Sequence, residues 1–300
     1  MNDVISWATN PLGDNSIAVV GAMERAVTVD LIATFEPKLV WCESSDKPED
    51  LVSNPTHQPY DYLPVRKGGR IVGLLPLHEF RDGLTRPAGE TASVSMQPLD
   101  QSSLIASGTG ALAYIEEADQ HPCRLVMRGT RIAGIVTISD LQKLPVRPAL
   151  FLLVTHLELL MAAVIRERFR GCADDDWLIH LGQQRRTCVE AKWEELQSKN
   201  LAIDQINATQ FADKRQILLK SGLLKCSRTQ AEKEFGAIER LRNNLAHASD
   251  YALTLDRGQE AIATIKCARK WIEYLGTILD RRRDERPAPR ISGTDRFIGY

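Results

Sequence analysis

Up to Pro145 the apolar residues fall in short runs broken by Gly and Pro; after Pro148 they recur at helical spacing. In the first part Val40-Trp41-Cys42, Tyr62-Leu63-Pro64-Val65 and Arg70-Ile71-Val72-Gly73-Leu74-Leu75 predict strands. So do Cys123-Arg124-Leu125-Val126-Met127-Arg128 and Arg131-Ile132-Ala133-Gly134-Ile135-Val136-Thr137. Lys67-Gly68-Gly69 and Gly129-Thr130 are short enough to close hairpins. Helices are expected to start near Leu77 and Ile138. In the second part the pattern predicts helices over 151–170, 175–199, 209–221, 232–248 and 259–280. Asp174-Asp175-Asp176 suits the positive start of the second of these, and Gly222 ends the third.

The first part contains a repeat. The run from Tyr62 to Phe80 lies over the run from Arg124 to Leu141, at a distance of about sixty residues. Each copy reads strand, tight turn, strand ending in Gly-apolar-apolar, then a helix start. In the second copy the strand leads into Gly134-Ile135-Val136-Thr137-Ile138-Ser139-Asp140. A carboxylate at a helix start can accept both hydroxyls of a ribose. A Thr hydroxyl one turn earlier, with free backbone N–H groups, suits a phosphate. The same Thr and Asp also serve as helix caps.

This repeat, over about residues 30–145, resembles the CBS module, which occurs in pairs. The resemblance implies an adenine nucleotide (AMP, ATP or a relative) in the cleft between the copies, held by Gly134, Thr137 and Asp140 as a regulatory ligand. In the first copy Pro76 stands at the Thr position and Glu79 at the Asp position, so packing is its expected role.

Within the fourth predicted helix stands Arg242-Asn243-Asn244-Leu245-Ala246-His247. His titrates near neutral pH, Arg grips a phosphate with a planar fork, and Asn243 and His247 share one helix face. RNA cleavage by the RNA's own 2′-OH needs such groups and no metal. The all-helical second part with this motif resembles HEPN domains. That resemblance implies Arg242, Asn243 and His247 as catalytic residues, a 2′,3′-cyclic phosphate product, and a cleft formed where two bundles meet in a homodimer. Glu158 and Glu239 are the carboxylates expected to support Arg242. The bland alternative is that Asn243 and His247 cap a helix end.

The expected fold class is therefore α+β: an N-terminal α/β CBS pair followed by an all-α HEPN-like bundle of four or five helices. The segments are 1–29, a degenerate first repeat over 30–85, a second repeat over 86–147, the bundle over 148–281 and a flexible basic tail over 282–300. The 300 residues carry a net charge of −1, which argues against non-specific coating of nucleic acid. Six cysteines without a C-x-x-C pair suggest neither zinc nor a disulfide framework. The apolar run from Phe151 to Ile165 is interrupted by Thr155, His156 and Glu158, which favours a buried helix over a membrane span. Its apolar residues point all round, more than one bundle core needs, and suggest a second chain as cover. The start of the chain lacks a basic, apolar leader, so a cytoplasmic location is expected. The functional expectation is an adenine-nucleotide-regulated, metal-independent endoribonuclease with RNA as substrate. The alternative is a non-catalytic nucleotide sensor whose helices only dimerise or dock a partner.

Overall fold

The computed structural model describes residues 16–81, 89–172, 176–199 and 204–284. Its first part opens with α1 (Ser16–Ala26), α2 (Val29–Ile32), β1 (Thr34–Phe35), β2 (Cys42–Glu43) and α3 (Pro48–Ser53). The hairpin of β3 (Tyr62–Lys67) and β4 (Arg70–Pro76) follows, then α4 (His78–Arg81). The second set is α5 (Ala92–Ser95), β5 (Gln97–Pro98), β6 (Leu104–Ala106) and α6 (Ala111–Glu117), then the hairpin of β7 (Cys123–Arg128) and β8 (Arg131–Thr137). A 3-10 turn at Ile138–Gln142 closes it. The repeat read from the sequence is thus present element for element.

Two four-stranded sheets result, ordered β1-β8-β7-β6 and β2-β3-β4-β5. Each repeat gives its first strand to the other repeat's sheet. β1 pairs antiparallel with β8, and β5 pairs antiparallel with β4. The same exchange in both repeats explains a glycine in each copy. A Cβ on Gly73 would stand 2.4 Å from Met96 Sδ and 2.7 Å from the Gln97 carbonyl oxygen. On Gly134 it would stand 2.5 Å from the Phe35 ring and 2.6 Å from the Thr34 carbonyl oxygen. Only a residue without Cβ admits the incoming strand this closely.

Alternation along the strands sorts their side chains. Leu63, Val65 and Leu75 point into a core shared with Leu51, Leu77 and Ala92. Leu74 points the other way and meets Leu39, Cys123, Leu125 and Ile135. That second cluster draws on strands of both sheets, so each hairpin is covered on both faces.

The helical part comprises α7 (Val146–Arg168), a 3-10 turn at Asp176–His180, α8 (Gln183–Ser198), and a 3-10 turn at Gln205–Ala208. α9 (Phe211–Lys220), α10 (Arg228–Ala246) and α11 (Leu255–Asp284) complete it. Among the described residues there are five α-helices, within the expected four or five. α7 starts five residues before the expected 151, because Pro148 falls in the first turn. There its missing N–H has no helical partner to lose. Residues 146–150, before the expected start, are therefore helix. The expected second helix is broken at Gly182, after a turn whose Trp177 and Leu178 are buried. Asp174 and Asp175, expected at that helix start, lie outside the described residues, as do residues 285–300 of the expected tail and 1–15 of the N-terminal segment.

α7 is, among the described residues, the one helix long and apolar enough to cross a membrane, and 61 % of its most apolar window is buried by the protein itself. Leu153, Val154, Leu157, Leu160, Met161, Val164 and Ile165 are all buried. The apolar excess that suggested a second chain is largely covered within this one, with Phe151 left 40 % exposed.

By compactness the chain forms two units. One contains Gly13–His156 and Lys233–Ala268, so the sheets share a unit with most of α10 and the first half of α11. The other contains Leu157–Glu232 and the described residues from Arg269 onward. Ion pairs brace this second unit internally. Arg185 grips Asp213 with two bonds of 2.8 and 2.6 Å, and Arg166 grips Asp204.

Candidate functional site

Strand exchange builds a cleft beside Asp140. Its volume is about 230 Å³. β8 and the 3-10 turn supply Ile135, Thr137, Ser139 and Asp140. The exchanged strand and the chain after it supply Thr34, Lys38, Leu39 and Val40, and the approach to β3 supplies Pro59, Tyr60, Asp61 and Tyr62. Leu255, the first residue of α11, also reaches this cleft.

Thr137 and Asp140 form a capping box at the start of the turn. The Thr137 backbone N–H donates to Asp140 Oδ2 at 2.7 Å, and Lys143 Nζ stands 2.8 Å from Oδ1. Lys143 also donates to the Ile32 carbonyl and, at 3.3 Å, to Thr34 Oγ1, so it ties the turn to the exchanged strand. Burial raises the Asp140 carboxyl above the usual carboxylate range; Lys143 and the Thr137 bonds pull it back down. The capping reading of Thr137 and Asp140 is thus realised, and the same carboxylate lines the cleft. Gly134 has a steric role: it is buried, under Phe35.

The chemistry of the lining suits a nucleoside phosphate. Leu39, Val40 and Ile135 offer an apolar wall and Tyr60 an aromatic ring; Thr34 and Ser139 offer hydroxyls. Lys38 is exposed at the lip and makes no ion pair among the described residues, which leaves a cation for a phosphate. Lys38, Tyr60 and Asp61 were not singled out in the sequence. They lie far from Asp140 along the chain, and only the exchange of β1 signals that they come together.

In the first repeat the chain around Asp61, which also lines the Asp140 cleft, is bonded to Arg81. Arg81 donates to Asp61 Oδ1 at 3.2 Å and to the carbonyls of His57 and Tyr60 at 3.1 and 2.7 Å. The His78 ring packs on Tyr62 at 5.0 Å. Pro76 is buried where the second repeat has Thr137.

Arg242, Asn243 and His247 stand at the end of α10. Arg242 is half-buried, and Asn243 and His247 are exposed. The helix ends at Ala246, one residue before His247; Ala248 takes φ 53°, the left-handed cap conformation, and Ser249 N–H returns to the Asn244 carbonyl at 2.9 Å. A different face of α10 carries Arg240 and Asn244, which line a cavity of about 340 Å³ with Asp250, Arg257 and Glu260. Glu239 is half-buried, three residues before Arg242 on the same helix. Glu158 accepts a bond of 3.0 Å from Lys214, which is itself buried and also donates to the Thr209 carbonyl at 2.9 Å. Lys214 is a buried cation of α9 that must be matched, and Glu158 supplies a carboxylate for it.

The loop after the motif is fastened to the turn that carries Asp140. Gln142 Nε2 donates to Asp250 Oδ1 at 2.9 Å, and Gln142 Oε1 accepts from the N–H groups of Tyr251 and Ala252 at 3.0 Å each. The Tyr251 hydroxyl donates to the Leu141 carbonyl. Arg147 Nη2 donates to the Ser249 carbonyl at 2.8 Å.

No family model matches the sequence, and no curated protein does. Solved structures similar to the N-terminal part include the CBS domain of a bacterial CNNM/CorC family Mg2+ transporter in complex with ATP. It is 20 % identical over 42 % of this chain and 92 % of its own, with a TM-score of 0.34. Another is CBSX2, a CBS-pair protein of Arabidopsis thaliana, in complex with AMP, 18 % identical over 41 % of this chain and 96 % of its own, TM-score 0.32. A third is the CBS domains of a transcriptional regulator from Streptococcus pneumoniae, 16 % identical over 37 % of this chain and 92 % of its own, TM-score 0.31.

Proposed function

We propose that this chain is an adenine-nucleotide-responsive regulatory protein, with the nucleotide in the Asp140 cleft and the loop after Ala246 as the element it controls. The observation that carries this reading is the composition of the cleft: two carboxylates (Asp140 and the Arg81-paired Asp61), hydroxyls, an unpaired lysine and an apolar wall, gathered from both repeats. In this reading Asp140 accepts the ribose hydroxyls and Lys38 holds phosphate. Occupancy shifts the 3-10 turn, and Gln142 carries the shift to residues 249–252. A ligand biases two arrangements only by its differential affinity for them, typically about 1–3 kcal/mol. Titration calorimetry with AMP and ATP tests this reading. Binding that is lost in Asp140→Asn and weakened in Lys38→Ala supports it; no binding of either nucleotide to the wild type removes it.

A metal-independent endoribonuclease is the second reading, and the exposure of Asn243 and His247 beside Arg242 favours it. His247 would move the proton and Arg242 would hold the phosphate, in a cleft completed by a second copy of the chain. Purified protein with a mixed RNA pool and EDTA decides it. Cleavage to 2′,3′-cyclic ends, abolished by Arg242→Ala and by His247→Ala, supports catalysis. Intact RNA leaves the helices as a docking or dimerising element.

A further inference from the structure

We propose that the groove between the two hairpin turns is a second ligand site, which takes a compact polyanion bearing two or more phosphates. The inference is independent of any role for Asp140. The groove has a volume of about 890 Å³ and is lined by four arginines against one carboxylate, Glu36. Two of the arginines are already matched. Arg66 stands 2.9 Å from Glu36, and Arg128 stands 2.7 Å from Asp30.

Arg70 and Arg131 are different. They occupy the same place in the two repeats, the first residue of β4 and of β8, opposite Lys67 and Arg128. Both are exposed, and neither makes an ion pair or hydrogen bond among the described residues. Each unmatched guanidinium offers a planar fork of the shape that fits a phosphate. Their equivalence in the repeat suits a ligand with at least two phosphates, one for each arginine.

The aromatic rings nearby argue that the ligand presents phosphate and not base. Arg128 covers the Phe35 ring at 3.6 Å, and Arg66 covers the Trp41 ring at 4.1 Å. Those ring faces are taken, and single-stranded nucleic acid needs free ones for stacking. Leu39 lines both this groove and the Asp140 cleft. The phosphates therefore have two sources to tell apart: free polyphosphate, or the tail of a nucleotide.

Tripolyphosphate is the probe, titrated by calorimetry into the wild type and into Arg70→Ala/Arg131→Ala. Both side chains are exposed, so the double variant should keep its melting temperature. The expected result is binding that weakens as salt rises and falls at least about tenfold in the double variant. AMP affinity should be unchanged in that variant. ATP that competes with tripolyphosphate assigns the phosphates to a nucleotide tail; ATP that does not compete assigns them to free polyphosphate. No binding of tripolyphosphate, or equal binding by wild type and double variant, overturns the proposal. So does an arginine-dependent affinity for a single-stranded RNA oligomer with none for tripolyphosphate, which would make the groove a nucleic-acid surface.

Discussion

Gln142 and Asp250 are 108 residues apart in the chain, and their side chains meet at 2.9 Å. The same Gln142 side chain holds the N–H groups of Tyr251 and Ala252. One amide therefore satisfies three groups of a loop that has no regular structure of its own. Gln142 is only two residues beyond Asp140, within the same turn. Motion of that turn has a short hydrogen-bonded route to the loop behind His247.

Removing this clamp should be costly. Gln142→Ala leaves two backbone donors unmatched, and the protein should lose about 1–3 kcal/mol of stability. Hydrogen exchange over residues 247–254 should speed up in the variant, with exchange in β3 and β4 unchanged. Protection of 247–254 equal to wild type would show that Arg147 and Tyr251 hold the loop without Gln142.

Gly134→Ala tests the strand exchange. The added methyl would meet both the Phe35 ring and the Thr34 carbonyl, and backbone cannot yield cheaply. The expected loss is about 1–3 kcal/mol, the usual cost of overpacking. Phe35→Ala should recover little of it, because the carbonyl contact remains. Gly73→Ala should behave alike through the Gln97 carbonyl, while an Ala at Gly108, where nothing stands within 4 Å of a Cβ, should be nearly silent. Chemical denaturation of the four variants measures the series.

These cases mark what the sequence could and could not convey. The repeat was legible because strand, tight turn and strand each leave a local pattern, and the same pattern occurs twice. The role of Gly134 was not. A glycine before two apolar residues looks the same whether a phosphate or a neighbouring strand needs the room. Thr137 and Asp140 were legible as a pair three residues apart, but Lys38 and Tyr60 became visible only through the exchange of β1. The helices after Pro148 were legible in number, and their starts less so, because proline is tolerated in a first turn. That α10 and the start of α11 belong to the same compact unit as the sheets was not legible at all. An apolar helix face states that it needs a partner and does not name one.

Asp140 makes a pH prediction. Burial raises its carboxyl above the usual range in the folded protein. Such a group binds its proton more tightly folded than unfolded. Its contribution to stability is therefore best in acid, below the ordinary value near 4, and declines as pH rises through the raised value. Urea denaturation from acid to neutral pH should show this decline in the wild type and not in Asp140→Asn. AMP, if it donates its ribose hydroxyls to the ionised form, should flatten the decline. Parallel curves for wild type and variant would mean that Lys143 offsets the burial in full.

Gly258 gives the last test, because it joins α11 to the same turn. A Cβ at this position would lie 1.9 Å from Cγ2 of Ile138, next to Thr137 in the chain. Leu255, one turn earlier on α11, lines the Asp140 cleft. Gly258→Ala must therefore push either the helix or the turn, and both border the site. The variant should lose about 1–3 kcal/mol of stability, and AMP should bind more weakly. Ile138→Ala removes the Cγ2 that clashes and leaves room for the new methyl. In the double variant the two changes should not add: the measured coupling should fall in the usual range for touching residues, about 0.5–3 kcal/mol. AMP affinity should recover with it. Recovery of stability without recovery of affinity would show that α11 is packed on the turn but has no hold on the nucleotide.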